Sequence, residues 1–355
     1  MRREFCALLL ALTTACAPDV HIGEERRLAV MTAVPAAEGR WREAGTRTAL
    51  RRPGDEVIAA PGWFGRAEAD GSLPTITSLE TTPSAVSSST MLGATWVIAG
   101  SLGDEGFVRA LDENDGQVWE TRLGAEVRSI STTNEGSLVV AGNAPGGGFV
   151  ALLEASGAVR WERHFEIDFQ RTASGFVPVA IVADPGAPSP SRRQFWVTGT
   201  RARASDTPAY ALQMTFDGEL WDSEPFAATG VARGVAAFDV GVAICVAVDG
   251  AVQLAWTQGG AVSGAALTEV RLEEPFELAG CLAGPNEVEL FGTFARGAPA
   301  VVAVDRATRL ARDARQYSEP SPITVLGGAR GADGRVTTFG LQLEPVRRWR
   351  AAMPP

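Results

Sequence analysis

The side chains that carry most enzyme chemistry are scarce in this chain of 355 residues. It has two histidines, His21 and His164, four cysteines and no lysine; all 32 basic residues are arginine. Without lysine there is no Schiff-base nucleophile and no P-loop, whose phosphate cradle needs one. Two histidines leave little room for a His-built metal site or a His-paired nucleophile. His164 stands in Trp161-Glu162-Arg163-His164-Phe165, near Glu166 and Asp168. Carboxylates so spaced could act as an acid–base pair on a glycosidic bond, but such pairs also arise by chance. Asp112-Glu113-Asn114-Asp115-Gly116 looks like a calcium loop, yet the EF-hand pattern needs an oxygen ligand where Gly116 stands and Glu where Leu123 stands. It is read as a polar hairpin turn. No catalytic residue, metal ligand or cofactor site is assigned.

The cysteines divide by position. Arg2 and Arg3, the apolar run from Phe5 to Leu12, and the small residues Thr13, Thr14 and Ala15 before Cys16 have the three-part form of a secretory signal. Residues 1–15 are expected to be removed, taking Cys6 with them. Thr13-Thr14-Ala15-Cys16 resembles a bacterial lipobox, although Leu12 sits one place too early; the resemblance implies lipidation of Cys16. Ordinary signal cleavage there is the other reading. Losing Arg2, Arg3 and Glu4 takes the net charge from −10 to −11. An acidic body suits neither nucleic acid nor anionic headgroups, so membrane contact is expected through the N-terminal lipid alone. The absence of Asp after Cys16 favours the outer membrane; a secreted or periplasmic protein is the alternative address. Residues 16–56 read as a tether, with Leu28 to Val34 as a possible isolated strand. Cys245 and Cys281 remain for the fold, as a disulfide in an oxidising compartment or as buried thiols.

The remaining 57–355 repeats itself. Gly106-Phe107-Val108-Arg109-Ala110-Leu111 followed by Asp115-Gly116-Gln117-Val118-Trp119-Glu120 returns as Gly148 to Leu153 with Ser156 to Glu162, and again as Ala209 to Leu212 with Asp217 to Asp222. Trp119, Trp161 and Trp221 recur at one place in the repeat, 42 and 60 residues apart, which predicts packing between units. Apolar strands ending in Gly100, Gly142, Gly199, Gly292 and Gly340, with Val242 to Val246 between, are taken to close each unit. A period in the forties with four short strands is the size of a propeller blade. The expected fold is all-β: a β-propeller of four-stranded antiparallel blades, six in number, or seven if residues 28–60 contribute strands. Val346 to Trp349 is expected to pair with early strands and lock the ring.

Leu111-Asp112 through Trp119-Glu120 resembles the repeat of pyrroloquinoline-quinone-like propellers, a group that includes quinoprotein dehydrogenases and the lipoprotein of the outer-membrane β-barrel assembly machinery. The match is good from about 106 to 222 and poor beyond. It implies blades rather than an activity. The insertion from Ala183 to Gln194, with Pro185, Pro188, Pro190, Arg192 and Arg193, is a candidate partner loop, or else a tolerated surface insertion. The reading is of an exported, monomeric protein-binding or scaffold module at the bacterial envelope, with envelope proteins as partners. A quinone-dependent oxidoreductase or glycan-acting hydrolase on the same scaffold is the alternative.

Overall fold

A computed structural model describes residues 47–52, 55–60, 63–67, 75–78, 84–124, 126–166, 176–183, 194–201, 209–225, 230–238, 241–258, 261–316, 322–330, 336–343 and 346–352. The described residues form strands in seven antiparallel sheets. Blade 1 contains β1 (Arg47–Arg52), β2 (Asp55–Ala60), β3 (Trp63–Ala67) and β4 (Thr75–Ser78); blade 2 contains β5 (Ser84–Leu92), β6 (Thr95–Leu102), β7 (Glu105–Leu111) and β8 (Gln117–Leu123). Blade 3 contains β9 (Glu126–Thr132), β10 (Leu138–Ala144), β11 (Gly147–Leu153) and β12 (Val159–Glu166); blade 4 contains β13 (Phe176–Ala183), β14 (Gln194–Arg201), β15 (Ala209–Thr215) and β16 (Leu220–Pro225). Blade 5 contains β17 (Val231–Ala237), β18 (Val242–Val248), β19 (Ala251–Gln258) and β20 (Ala261–Val270); blade 6 contains β21 (Phe276–Ala283), β22 (Glu287–Phe294), β23 (Pro299–Asp305) and β24 (Ala311–Gln316). Blade 7 contains β25 (Ile323–Arg330), β26 (Val336–Leu343) and β27 (Val346–Ala352).

Within each sheet the strands lie in chain order. The first strands touch one another in sequence from β1 through β5, β9, β13, β17 and β21 to β25, and β25 touches β1 again. Seven sheets therefore radiate from one closed ring, as in a β-propeller. Seven is the number kept for the case in which residues before 60 contribute strands, and β1 and β2 do so. The boundary placed after residue 56 falls inside β2, and among the described residues the first sheet starts at Arg47. Leu28 to Val34 lies outside the described residues. The first and last described sheets meet through β1 and β25; among the described residues Val346 to Trp349, expected to pair with early strands, lies in β27 and pairs with β26.

The cores lie between blades. Leu138 and Val140 of β10 pack toward blade 2 with Val97, Ala99 and Val108, whereas Val139 and Ala141 pack toward blade 4 with Phe195, Val197 and Leu212. A strand buried on both faces needs an unbroken apolar run. That is why Leu138-Val139-Val140-Ala141 does not alternate.

The repeat's phase differs from the expected one. The strands ending in glycine are the second of each blade, and the Asp-Gly and Ser-Gly turns join the third strand to the fourth. In blades 2 to 7 the first strand bulges opposite that second strand, between Val86/Ser88, Val127/Ser129, Pro178/Ala180, Ala232/Gly234, Leu278/Gly280 and Val325/Gly327. The residues paired at the first member of each bulge are Gly100, Gly142, Gly199, Val246, Gly292 and Gly340. A Cβ on Gly142 would overlap the carbonyl oxygen of Glu126, and one on Gly292 that of Glu277. The glycines admit a close backbone approach at the bulge.

Trp119 and Trp161, on the fourth strands of blades 2 and 3, dock against the next blade. A Cβ on Gly157 would lie 2.5 Å from the Trp119 ring, and one on Gly218 3.0 Å from the Trp161 ring. The Trp161 indole N–H donates to the Phe216 carbonyl at 2.7 Å, and its ring stacks 6.2 Å from Phe195. Gly157 and Gly218 have φ of 86° and 82°; the corresponding turn residues in blades 2 and 6 are Asp115 (65°) and Arg309 (61°). Side chains are thus accommodated at this backbone conformation where no tryptophan of the preceding blade lies against it. Trp221 does not share the place of the other two. Trp119 and Trp161 pair with Ala110 and Leu152 just after a bulge, where blade 4 has Asp222 opposite Gln213; Trp221 is the bulged residue itself.

Blades 5 and 6 are also joined covalently. Cys245 on β18 and Cys281 on β21 form a disulfide, Cα–Cα 6.5 Å. Gly234, paired with Cys245, makes room for it: a Cβ there would lie 3.3 Å from the Cys281 sulfur.

Two outcomes follow. Gly157→Ala is expected to cost about 2–3 kcal/mol in urea unfolding, from backbone strain plus displacement of the indole. In a Trp119→Ala background the cost should fall to the strain alone, about 1–2 kcal/mol; equal costs in both backgrounds would reject the docking. Replacing both Cys245 and Cys281 by Ala opens a cross-link spanning 36 residues and is expected to lower stability by about 3–4 kcal/mol on the chain-entropy argument. An unchanged unfolding midpoint would contradict it.

Candidate functional site: a cleft across three blades

The connections into the first strands of blades 6 and 7 share a construction. Pro275 precedes β21 and lies over Gly250 in the β18–β19 turn, while Pro322 precedes β25 and lies against Gly297 in the β22–β23 turn. The Phe276 N–H donates to the Gly250 carbonyl and the Ile323 N–H to the Gly297 carbonyl, each at 2.9 Å. The Ala295 N–H donates to the Pro275 carbonyl at 3.1 Å. Proline sets the entering backbone, and each strand's first amide is satisfied by the preceding blade.

Between these connections lies a cleft of about 340 Å³ formed by blades 5, 6 and 7. Phe276 and Phe294 belong to the core beneath it, with ring centroids 5.1 Å apart and both side chains buried. Arg233 of β17, Glu277 of β21 and Thr324 of β25 are exposed and line the same cleft. Thr293 is buried, and its hydroxyl accepts the Val325 N–H at 3.0 Å, tying blade 6 to blade 7. A second concavity of about 390 Å³ adjoins it, sharing Gly250 and Pro275 and lined by Asp249, Glu269, Arg271, Glu273 and Glu274. Glu274 pairs with Arg296 at 3.1 Å. The surface thus offers a hydroxyl and charges of both signs on rigid strands. Such a combination can hold an extended polar segment by charge and hydrogen bonding.

Sequence reasoning did not single out Arg233, Glu277 or Thr324. Their signal is the first-strand motif at the bulge, an apolar residue, any residue, then a small one: Val86-Ser87-Ser88, Val127-Arg128-Ser129, Ala232-Arg233-Gly234, Leu278-Ala279-Gly280 and Val325-Leu326-Gly327. Arg233 is the bulged residue, and Glu277 and Thr324 directly precede the bulge in their blades.

The residues singled out earlier are not brought together here. The Asp112 carboxylate accepts the N–H groups of Asn114 and Gly116, both at 2.8 Å, so it is engaged by its own turn. Asp305 does the same work in blade 6, accepting from the Ala307 and Thr308 amides and the Thr308 hydroxyl. The backbone and side-chain hydrogen bonds from Thr308 hold its pKa below the usual carboxylate value. His164 is half-exposed on β12 with its Nε2 3.0 Å from Glu162. Among the described residues no group of three or more His, Cys, Asp or Glu stands together to hold a metal ion. Cys16, Pro185, Pro188, Pro190, Arg192 and Arg193 lie outside the described residues, the last five between β13 and β14 in the sequence.

No family model matches the sequence, and no curated protein matches it. Solved structures do. The Neurospora crassa Pan2 WD40 domain superposes with a TM-score of 0.66 at 10% identity, covering 95% of this chain and 98% of that one. The fold is a β-propeller. A streptogramin B lyase matches with a TM-score of 0.59 at 14% identity over 92% of this chain and 97% of its own. A chain from the mitotic checkpoint complex matches at 0.60 and 14% identity, covering 99% of both chains. Similarity at this level concerns the fold alone. The propeller here shares its frame with a lyase and with a member of an assembly, so its function must be read from its own surface.

Proposed function

We propose that this chain is an exported, lipid-anchored β-propeller that serves as a protein-binding or scaffold module at the bacterial cell envelope, taking a partner segment in the cleft across blades 5 to 7. The cleft carries the reading. It presents Arg233, Glu277 and Thr324 from three successive first strands above the buried Phe276–Phe294 pair. These positions are held by a closed ring and a disulfide, which preorganises the surface and lowers the entropic cost of binding. The address rests on Arg2, Arg3, the apolar run from Phe5 and the Thr13-Thr14-Ala15-Cys16 motif. A disulfide between Cys245 and Cys281 suits an oxidising compartment. The docking of Trp119 and Trp161 onto glycines of the next blade supports kinship with pyrroloquinoline-quinone-like repeats in blades 2 to 4. The proposed role is binding rather than catalysis, by a monomer, with the lipid on Cys16 as its membrane contact.

Two measurements test this reading. Cells fed radioactive palmitate should label the wild-type chain and not Cys16→Ser; equal labelling removes the anchor. A photo-crosslinking residue at Glu277 should capture a discrete partner in intact cells, and the Arg233→Glu change should reduce that capture at least tenfold. The same probe at Val118, 58% exposed on β8, should not capture it. Equal capture from both positions, or none from Glu277, would overturn the cleft as the binding site.

A further inference from the structure

Blade 3 holds an acid and a base at its first-strand bulge. Arg128 is the bulged residue, Glu126 directly precedes the bulge, and the two side chains pair at 3.1 Å. In blades 5 and 6 the same two places are split. Arg233 is the bulged residue of β17, but Val231 stands where the glutamate would be. Glu277 precedes the bulge of β21, but Ala279 stands where the arginine would be. Among the described residues neither Arg233 nor Glu277 has an ion-pair or hydrogen-bond partner for its side chain. Both are exposed and both line the cleft of about 340 Å³.

They do not meet each other because they stand at different levels. β17 and β21 touch along their length, and the Arg233 carbonyl lies 3.7 Å from where a Cβ on Gly280 would be. Glu277 is three residues before Gly280, or about 10 Å along the strand. With a lateral step of roughly 5–8 Å between strands of different blades, the two positions lie about 11–13 Å apart. Thr324 stands near the level of Glu277, since Thr293 pairs with Glu277 and its hydroxyl accepts the Val325 N–H. The cross-link fixes these levels: Cys281 follows Gly280, and Cys245 pairs with Gly234, next to Arg233.

On the reading that this cleft is the binding site, we propose that its partner is an extended peptide segment carrying a basic side chain and a carboxylate four residues apart, the base on Glu277 and the carboxylate on Arg233. Side chains on one face of an extended chain recur every two residues, at about 7 Å and then about 13 Å. The second spacing fits the two charges; the first is too short. The Thr324 hydroxyl adds a hydrogen bond beside the basic group. The adjoining concavity shares Pro275 with the cleft and has four carboxylates to one arginine. It continues the acidic side past Glu277, so further basic residues of the segment are favoured there and disfavoured near Arg233.

Fluorescence anisotropy with the mature chain carrying Cys16→Ser tests this. The probes are labelled peptides of serine and threonine with one lysine and one glutamate set two, three or four residues apart, in both orders. The four-residue spacing, in one order, should bind at least tenfold more tightly than the shorter spacings. Glu277→Lys should weaken that peptide at least tenfold, and exchanging the peptide's lysine for glutamate should bring the variant back to within threefold of the original affinity. Arg233→Glu should be rescued in the same way by exchanging the peptide's glutamate for lysine. Rescue also shows that the variants are folded. Affinity that ignores spacing, variants that no charge-reversed peptide rescues, or no binding by any of the peptides overturns the proposal. So does equal binding of a free lysine–glutamate dipeptide, which would assign the cleft to a small zwitterion. If the probe at Glu277 captures a partner in cells while the peptides show no such preference, the cleft stands and its charge spacing alone falls.

Discussion

Within a blade the first two strands approach so closely at a bulge that a Cβ on Gly142 or Gly292 of the second strand would have no room. The structure depends on how that constraint is met. In each of blades 2 to 7 the first strand gains an extra residue in a bulge, and in five of them the second strand answers with glycine. The added Cβ at Gly142 or Gly292 would strike a carbonyl oxygen of the first strand, so the glycine is demanded by proximity rather than by a turn. Blade 5 has Val246 there instead, and it is also the blade whose second strand is cross-linked to its neighbour, through Cys245.

The same bulge sets the candidate site. A bulge reorients the side chains around it, and Arg233, Glu277 and Thr324 stand at or beside it on three adjacent first strands. They meet in one cleft because the blades are adjacent, although they are 44 and 47 residues apart in the chain. Between neighbouring blades, indoles make the contact. Trp119 and Trp161 bridge outward positions by lying on glycines of the next blade.

The period and the all-β character were legible in the sequence because each blade repeats the same burial on both faces. Phase was not: a tandem repeat reads alike from any starting strand, and only hydrogen bonding shows that the glycine-ended strands come second. Blade 1 stays only the seventh-blade alternative in the sequence because β2 ends in Ala59-Ala60 rather than in glycine. Trp221 was aligned on its Asp-Gly dipeptide, but the structure aligns turns by the residue with positive φ. That residue is Asp115 in blade 2 and Gly218 in blade 4, one place apart within the dipeptide.

The sequence by itself determined the chemistry that is available: no lysine, two histidines, four cysteines, and apolar runs suited to strands buried on both sides. These are properties of residue type and local order, so they need no knowledge of neighbours. Only the tertiary structure decided that Cys245 lies beside Cys281, that Trp119 rests on Gly157, and that three bulges pool their polar residues in one cleft. Each of those contacts joins different blades, and the angle between blades is set by closure of the whole ring, which no single stretch of sequence encodes.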